Sequence, residues 1–280
     1  MSIWDTPTTD VDLDERQYAE EVVFIGQNLI KTQVEPFVET EQFPHVLLTG
    51  DPGLGKTQFG RWLAWRRQKP FYERLAPVKP EELPPYGILL LDEVHRQSDV
   101  EALFPVMDKG VLTVVAATTK PDKLDSAFRS RFLITLRLRP YWHEEMIEII
   151  SHMAGDRGPT RDIAHVLASA CVGNPRTAER IVRTAQGLNT WEPGEILKAV
   201  QITADGLHSD HFDYLTALRD ASRPVGLKHL VDQTMMSEEA VKRAERLLVA
   251  KGHVELAANG RKLTLRGQQY VELLQDEGIL

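Results

Sequence analysis

Two short stretches place charged and hydroxyl side chains where they can handle a nucleoside triphosphate. The first reads GDPGLGKT: Gly50, Asp51, Pro52, Gly53, Leu54, Gly55, Lys56 and Thr57, followed by Gln58. The apolar run 45–49 precedes it and a helical stretch, 58–67, follows it, so the order is strand, glycine loop, helix. Glycine lets the backbone bend into a nest of N–H groups, and the start of a helix adds positive potential, so the loop suits a polyanion. Lys56 supplies a point charge for the β- and γ-phosphates, and the Thr57 hydroxyl can ligate Mg²⁺. The alternative is a glycine-rich turn with an accidental lysine. Lysine, hydroxyl and strand–helix context agree, and together they outweigh it.

The second stretch is Ile88-Leu89-Leu90-Leu91-Asp92-Glu93, an apolar strand ending in two carboxylates. Strand ends of this kind open onto the ligand crevice of an α/β sheet. Asp92 can hold Mg²⁺ through water, and Glu93 can polarise an attacking water. An ordinary strand with a polar end reads the same way in isolation. The position 36 residues after Lys56 and just before His95-Arg96 favours the chemical reading. Three further elements depend on these two. The run 112–117 ends in Thr118-Thr119, where a polar side chain can touch a γ-phosphate. Ala127-Phe128-Arg129-Ser130-Arg131-Phe132 carries arginines able to reach a neighbouring subunit's phosphate, or else it is a solvated basic turn. Gly173-Asn174-Pro175-Arg176 opens a helix, and Arg176 can fold back onto the phosphates, although prolines at helix starts are routine.

The elements that must position these groups alternate. Short apolar runs at 45–49, 87–91, 112–117 and 133–139 predict strands, separated by helical stretches at 58–67 and 98–108. Such alternation predicts a parallel sheet covered on both faces. An amphipathic segment over 21–40 precedes the sheet. From 143 to 205 the pattern is helical, with candidates at 143–153, 160–170, 175–185 and 194–203 broken by Gly and Pro. Helices at 212–221, 226–233 and 237–251 follow, then a hairpin from His253 to Leu265 with an Asn-Gly turn, the outline of a winged helix. The expected division is an acidic segment 1–20, an ATP-binding α/β domain 21–140, a helical domain 141–207 and a winged helix 208–280.

The formal net charge is −8 over 280 residues, but it is unevenly spread. Residues 1–24 hold seven acids against Arg16 alone, while residues 240–268 hold seven bases against two acids. Local charge decides whether a surface meets DNA. The helix 237–251 turns Val241, Ala244, Leu247 and Leu248 inward and carries Lys242, Arg243 and Arg246 outside, with Ser237 as a partial cap. The hairpin adds Arg261, Lys262 and Arg266. Phosphate contacts from such a surface give affinity with little sequence information. A solvated helix face has the same composition, and the winged-helix context tips the reading toward DNA. Trp62 and Trp65 on the helix after the glycine loop read as core packing ahead of an added contact surface. His208 and His211 form an HxxH with no cysteine nearby and read as a linker feature. The single Cys171 lies in an apolar helical run and reads as a buried, inert thiol. No apolar stretch approaches the about 18 residues of a membrane span, and the acidic N-terminus lacks signal-peptide features, so a cytoplasmic location is expected.

In this order the elements resemble the AAA+ ATPases. More closely they resemble the RuvB family of Holliday-junction branch-migration motors. The matching stretches are Phe24-Ile25-Gly26-Gln27, His45 to Leu48 with GDPGLGKT, LDEVHR at 91–96, Leu103-Phe104-Pro105-Val106-Met107, ATT at 117–119, RSRF at 129–132 and GNPR at 173–176. Phe212-Asp213-Tyr214 and Pro224-Val225-Gly226-Leu227 also fit. The resemblance implies an AAA+ P-loop domain, a helical lid and a C-terminal winged helix. It implies Arg131 as the arginine finger, Thr119 as sensor 1, Arg176 as sensor 2, and Ile25 and Gly26 over the adenine. The chain departs from the family at one place. Met107-Asp108-Lys109-Gly110-Val111 runs straight into the next strand, leaving no room for the β-hairpin by which the family docks RuvA, which counts against RuvA-type docking.

The expected function is therefore an ATP- and Mg²⁺-dependent ring motor, a hexamer, acting on duplex or branched DNA. The alternative is a nucleotide-switched loader or adaptor that recruits a replication or recombination partner. A remodeller whose winged helix binds protein is a third, weaker reading.

Overall fold

The computed structural model describes residues 21–221 and 223–276; the acidic segment 1–20 lies outside the described residues. Five strands, β1 (Val46–Thr49), β2 (Phe71–Leu75), β3 (Gly87–Asp92), β4 (Leu112–Thr118) and β5 (Ile134–Arg137), form one sheet in the order β2-β3-β4-β1-β5. Every pairing is parallel; Val46, for example, lies opposite Val115 on one side and Ile134 on the other. Successive side chains of a strand point to opposite faces, so continuous apolar runs bury both. Leu48, Leu90, Val115 and Leu136 pack with Val34, Phe59 and Leu63 on one face. Leu47, Leu89, Val114 and Ala116 pack with Met107 and Phe128 on the other.

Four helices flank the strands: α1 (Asn28–Val38), α2 (Lys56–Arg66), α3 (Phe104–Asp108) and α4 (Ser126–Arg129). The helix expected over 98–108 shrinks to α3 and a preceding 3-10 turn. Pro105 has no N–H to donate and fits only the first helical turn, so α3 starts at Phe104. Only residues 109–111 join α3 to β4, and no hairpin stands between them. β2 was not expected, because its Phe-Tyr-Glu-Arg-Leu sequence lacks an apolar run. It is an edge strand, partly exposed along its length, and edges tolerate charge. Trp62 is buried in the core and Trp65 packs against it, which settles both as packing residues.

Helices α5 (His143–Ala154), α6 (Arg161–Cys171), α7 (Pro175–Leu188) and α8 (Pro193–Val200) follow. Cys171 is buried, its Sγ–H donates to the Leu167 carbonyl, and burial pushes the thiol up to about 12. It is therefore a packing residue and not a nucleophile. The last elements are α9 (Ser209–Arg219), α10 (Leu227–Thr234), α11 (Glu238–Ala250), β6 (Val254–Ala257), β7 (Gly260–Leu263) and α12 (Leu265–Asp276). The hairpin β6–β7 is antiparallel with Ala257 opposite Gly260, so Ala258 and Asn259 are the turn. Gly260 belongs to the strand because it runs beside Val225, where a Cβ would fall 2.7 Å from the Val225 carbonyl oxygen. Helix α12 was not expected; Val271 and Leu274 seat it on the core built around Tyr214, Leu215, Leu230 and Leu248.

By contacts the chain forms two compact units. One holds the described residues up to Met153 together with Gly173–Glu179, and the other holds Ala154–Val172 and the residues from Arg180 onward. No described helix is long and apolar enough to cross a membrane.

Candidate nucleotide site and nucleic-acid interface

The glycine loop lies between the carboxyl end of β1 and the start of α2, so three of its groups are placed by contiguous sequence. Gly53 and Gly55 have φ of 84° and 91°, and Gly55 caps α2 without a side-chain hydrogen bond. The first N–H groups of a helix have no partner within it, so this end is suited to an anion. A Cβ on Gly53 would fall 2.5 Å from Asn174 Oδ1, so only glycine fits. Lys56 is 8% exposed, and its ammonium donates to carbonyls of its own loop, Gly50 at 3.1 Å and Asp51 at 3.3 Å. Burial lowers its pKa, with Asp92 and Glu93 opposing that shift and Arg176 adding to it. A cation buried at the start of a helix, beside loop N–H groups, is placed to meet a polyanion.

Asp92 ends β3 and accepts the Glu93 N–H through Oδ1 at 2.9 Å. Glu93 follows in the left-handed region at φ 51°. Its Oε2 lies 3.4 Å from His95 Nε2, while His95 Nδ1 lies 2.9 Å from the Thr118 hydroxyl. Thr118, the last residue of β4, is fully buried, and Thr119 stands just beyond the strand, partly exposed. Thr57 Oγ1 donates to Glu73 Oε1 on β2 at 3.0 Å, and Glu73 also faces Arg61 at 3.7 Å.

Arg176, near the start of α7, is brought to the loop by Asn174. The Asn174 side chain donates to the Pro52 carbonyl at 3.1 Å and accepts the Arg176 N–H at 3.0 Å. Tyr141 closes the same side, its hydroxyl donating to the Leu54 carbonyl at 3.3 Å; burial raises its pKa. Ile25 and Gly26 precede α1. Phe24 packs edge-on against Phe59 and at a tilt against Trp62, and the Gln58 side chain donates to the Val23 carbonyl at 2.8 Å, which ties this segment to α2.

Arg131 lies elsewhere. It precedes β5 by three residues, and β5 runs parallel to β1, so it sits at the amino edge of the sheet, opposite the edge that carries the glycine loop. There its guanidinium pairs with Asp108 and lies 3.8 Å over the Phe104 ring. The structure thus gathers Lys56, Thr57, Asp92, Glu93, Thr119 and Arg176 on one edge and leaves Arg131 on the other.

In the winged helix the six expected cations divide. Arg243, Arg246 and Arg266 are exposed and have no ion pair among the described residues. Lys242 pairs with Glu238 at 2.5 Å, and Lys262 with Glu255 at 2.6 Å, both exposed pairs that water and phosphate can compete for. Arg261 is different. Its Nε donates to Glu245 Oε2 at 2.6 Å, and Tyr214 donates to the same oxygen at 2.8 Å. Burial would raise the Glu245 pKa, but the hydrogen bonds from Arg261 and Tyr214 outweigh it and hold the carboxyl below its ordinary value. Arg261 anchors the hairpin to α11 and is not presented as a phosphate contact. Ser237 caps α11 by accepting the Ala240 N–H at 3.2 Å. His208 and His211 touch edge to face at 4.2 Å, and no metal-binding cluster of His, Cys, Asp or Glu occurs among the described residues.

Sequence reasoning missed Glu73, Tyr141, the role of Asn174, and the pairing of His95 with Thr118. Asn174 and His95 lay inside motifs already singled out, but their partners are 122 and 23 residues away. Nothing in the sequence marks Tyr141 or Glu73.

Residues 73–140 match the ATPase family associated with various cellular activities (AAA), and residues 204–272 match the RuvB C-terminal winged helix domain. The chain is 30% identical, over 86% of its own length and 87% of the relative's, to the Holliday junction branch migration complex subunit RuvB of Staphylococcus saprophyticus. Among solved structures it resembles the Thermotoga maritima RuvB Holliday junction branch migration motor, with TM-score 0.73, 26% identity, and coverage of 89% of this chain and 95% of that one. A mutant of the same Thermotoga protein aligns at TM-score 0.74 and 25% identity, covering 89% and 96%.

Proposed function

Because this chain belongs to the RuvB family of AAA ATPases, we propose that it is an ATP-hydrolysing ring motor acting on duplex or branched DNA. The observation that carries the reading is the split of the catalytic set across the sheet. Lys56, Asp92, Glu93 and Arg176 share the carboxyl edge, whereas Arg131 stands at the amino edge. A site so divided is completed by a second copy, and head-to-tail repetition of one such contact forms a ring when its rotation closes; the ring proposed is a hexamer.

The residues fit the substrate. The backbone of Gly50 to Thr57 surrounds the phosphates of ATP, Lys56 turns its ammonium from its own carbonyls to the β/γ-phosphates, and Ile25 and Gly26 border the adenine. Glu93 polarises the attacking water, Thr119 senses the γ-phosphate, and Arg176 follows nucleotide state from α7. Arg131 of the adjoining copy offsets charge developing in the transition state. Thr57 and Asp92 would hold Mg²⁺, which when bound neutralises phosphate charge. The Thr57 hydroxyl already donates its proton to Glu73, which leaves its lone pairs for a cation. By function the chain divides into an ATPase domain 21–140, a lid 141–207 and a winged helix 208–280. Lys242, Arg243, Arg246, Lys262 and Arg266 of the last meet the DNA backbone. Such a motor works in the cytoplasm, where its DNA is.

The test is ATP turnover by the purified chain with and without duplex and four-way-junction DNA. DNA-stimulated turnover with movement of junction strands is expected. No affinity for adenine nucleotides with magnesium in calorimetry would overturn the reading. The three-residue connection between α3 and β4 favours a second reading, a DNA-bound loader with a different protein partner and no RuvA-type docking. Slow turnover with a co-purifying helicase would support that one.

A further inference from the structure

His95 is nearly buried, with a side chain 9% exposed, and it stands between two groups that no peptide bond links. Its Nδ1 is 2.9 Å from Thr118 Oγ1, and its Nε2 is 3.4 Å from Glu93 Oε2. The Thr118 hydroxyl oxygen also accepts the Lys120 N–H at 3.0 Å. The two ring nitrogens thus face different partners, Nδ1 the Thr118 hydroxyl at the end of β4 and Nε2 the Glu93 carboxylate.

Glu93 needs such a holder. Its left-handed backbone, at φ 51°, is an uncommon state for a residue with a Cβ and persists only where the surroundings impose it. The backbone is tied down by Asp92, which accepts the Glu93 N–H. The side chain has three rotatable bonds beyond that point. His95, held by Thr118 at the end of β4, stands 3.4 Å from its carboxylate and can fix its direction. The same imidazole reports on the end of β4, which carries Thr119 one residue beyond Thr118.

We propose that His95 is the positioning residue for Glu93, aiming its carboxylate at the attacking water and coupling that aim to the end of β4. The inference rests on the reading of Glu93 as the water-polarising carboxylate. His95 itself touches no substrate atom. A misaimed base lowers the rate of the chemical step and leaves substrate binding alone.

The experiment compares His95→Ala, His95→Asn, His95→Gln and Glu93→Gln with the unaltered full-length chain, by steady-state ATP turnover, calorimetric ATP affinity and thermal melting. Gln places an amide nitrogen where Nε2 lies, whereas Asn reaches only the Nδ1 position. We expect kcat to fall by about 10–100-fold in His95→Ala and His95→Asn, with KM and affinity unchanged and most of kcat restored in His95→Gln. Unaltered kcat in His95→Ala overturns the inference, as does an equal loss in all three variants or a loss that appears in KM or affinity. If His95→Ala melts early, the Asn–Gln contrast decides alone. Absence of turnover in the unaltered chain, or full turnover in Glu93→Gln, overturns the underlying assignment of Glu93. Turnover that Glu93→Gln abolishes and His95→Ala keeps overturns only the role of His95.

Discussion

Replacing Arg131 with alanine separates a finger acting between copies from one acting within a single copy. The four-residue strands β1 and β5, each about 10–13 Å long at ~3.3 Å per residue, place the glycine loop and Arg131 beyond opposite ends. That span exceeds an arginine side chain, and Asp108 and Phe104 hold the guanidinium at its own edge. Loss of a finger costs ~10³–10⁵ in rate, equivalent to about 4–7 kcal/mol of barrier at ~1.36 kcal/mol per tenfold. The same substitution costs little stability. The pair with Asp108 is partly exposed, with side chains 30% and 60% accessible, and is worth ~0–1 kcal/mol. The contact over Phe104 adds about 0.5–1 kcal/mol. So turnover collapses while ATP affinity holds and the melting temperature falls by only a few degrees. The assay is a mixture of Arg131→Ala, which has an intact cradle, with Lys56→Ala, which has an intact finger. Random equimolar mixing gives about a quarter of interfaces both an intact cradle and an intact finger, so roughly a quarter of unaltered turnover returns if the interfaces act independently. No recovery on mixing, or full turnover by Arg131→Ala alone, would refute the assignment.

Lys56→Ala is expected to abolish nucleotide binding in calorimetry, whereas Glu93→Gln binds ATP normally and loses about 10²–10⁴ in turnover. His211 is buried, and burial followed by the nearby His208 lowers its pKa to about 4. The unfolded chain then takes up a proton near 6.5 before the folded one does. Stability is complete above that pH and falls by up to about 3 kcal/mol as pH drops toward 4; His211→Gln flattens this slope in melts run from pH 7 to 4. Arg261→Ala leaves the buried Glu245 with Tyr214 alone and lowers stability by about 2–3 kcal/mol, less than a fully buried pair because the Arg261 side chain is 20% exposed. Chemical denaturation measures it, and Glu245→Gln in the same background recovers part of the loss. Arg243→Ala and Arg246→Ala each weaken DNA binding alike across sequences and reduce the salt slope by about 1, read from Kd against salt concentration.

The strand, glycine loop and helix start were legible from residues 45–67 alone because their geometry is local. A strand end, three glycines, a lysine and a helix start are consecutive, and a cradle of backbone N–H groups needs no distant partner. The carboxylates ending β3 were legible for the same reason, and so was the order of three helices and a hairpin near the C-terminus. Charges whose meaning depends on a partner were not. Arg261 and Lys262 are neighbours in sequence, yet one anchors a buried carboxylate on α11 and the other lies on the surface. Arg131 became a residue of the opposite edge only when β5 paired with β1, and His95 became a link to Glu93 only when β4 lay beside β3. Edge strand β2 was hidden because half-exposed strands need no apolar run. Local backbone geometry is written in contiguous residues, whereas the partner of a side chain is chosen by which distant strands and helices close over it.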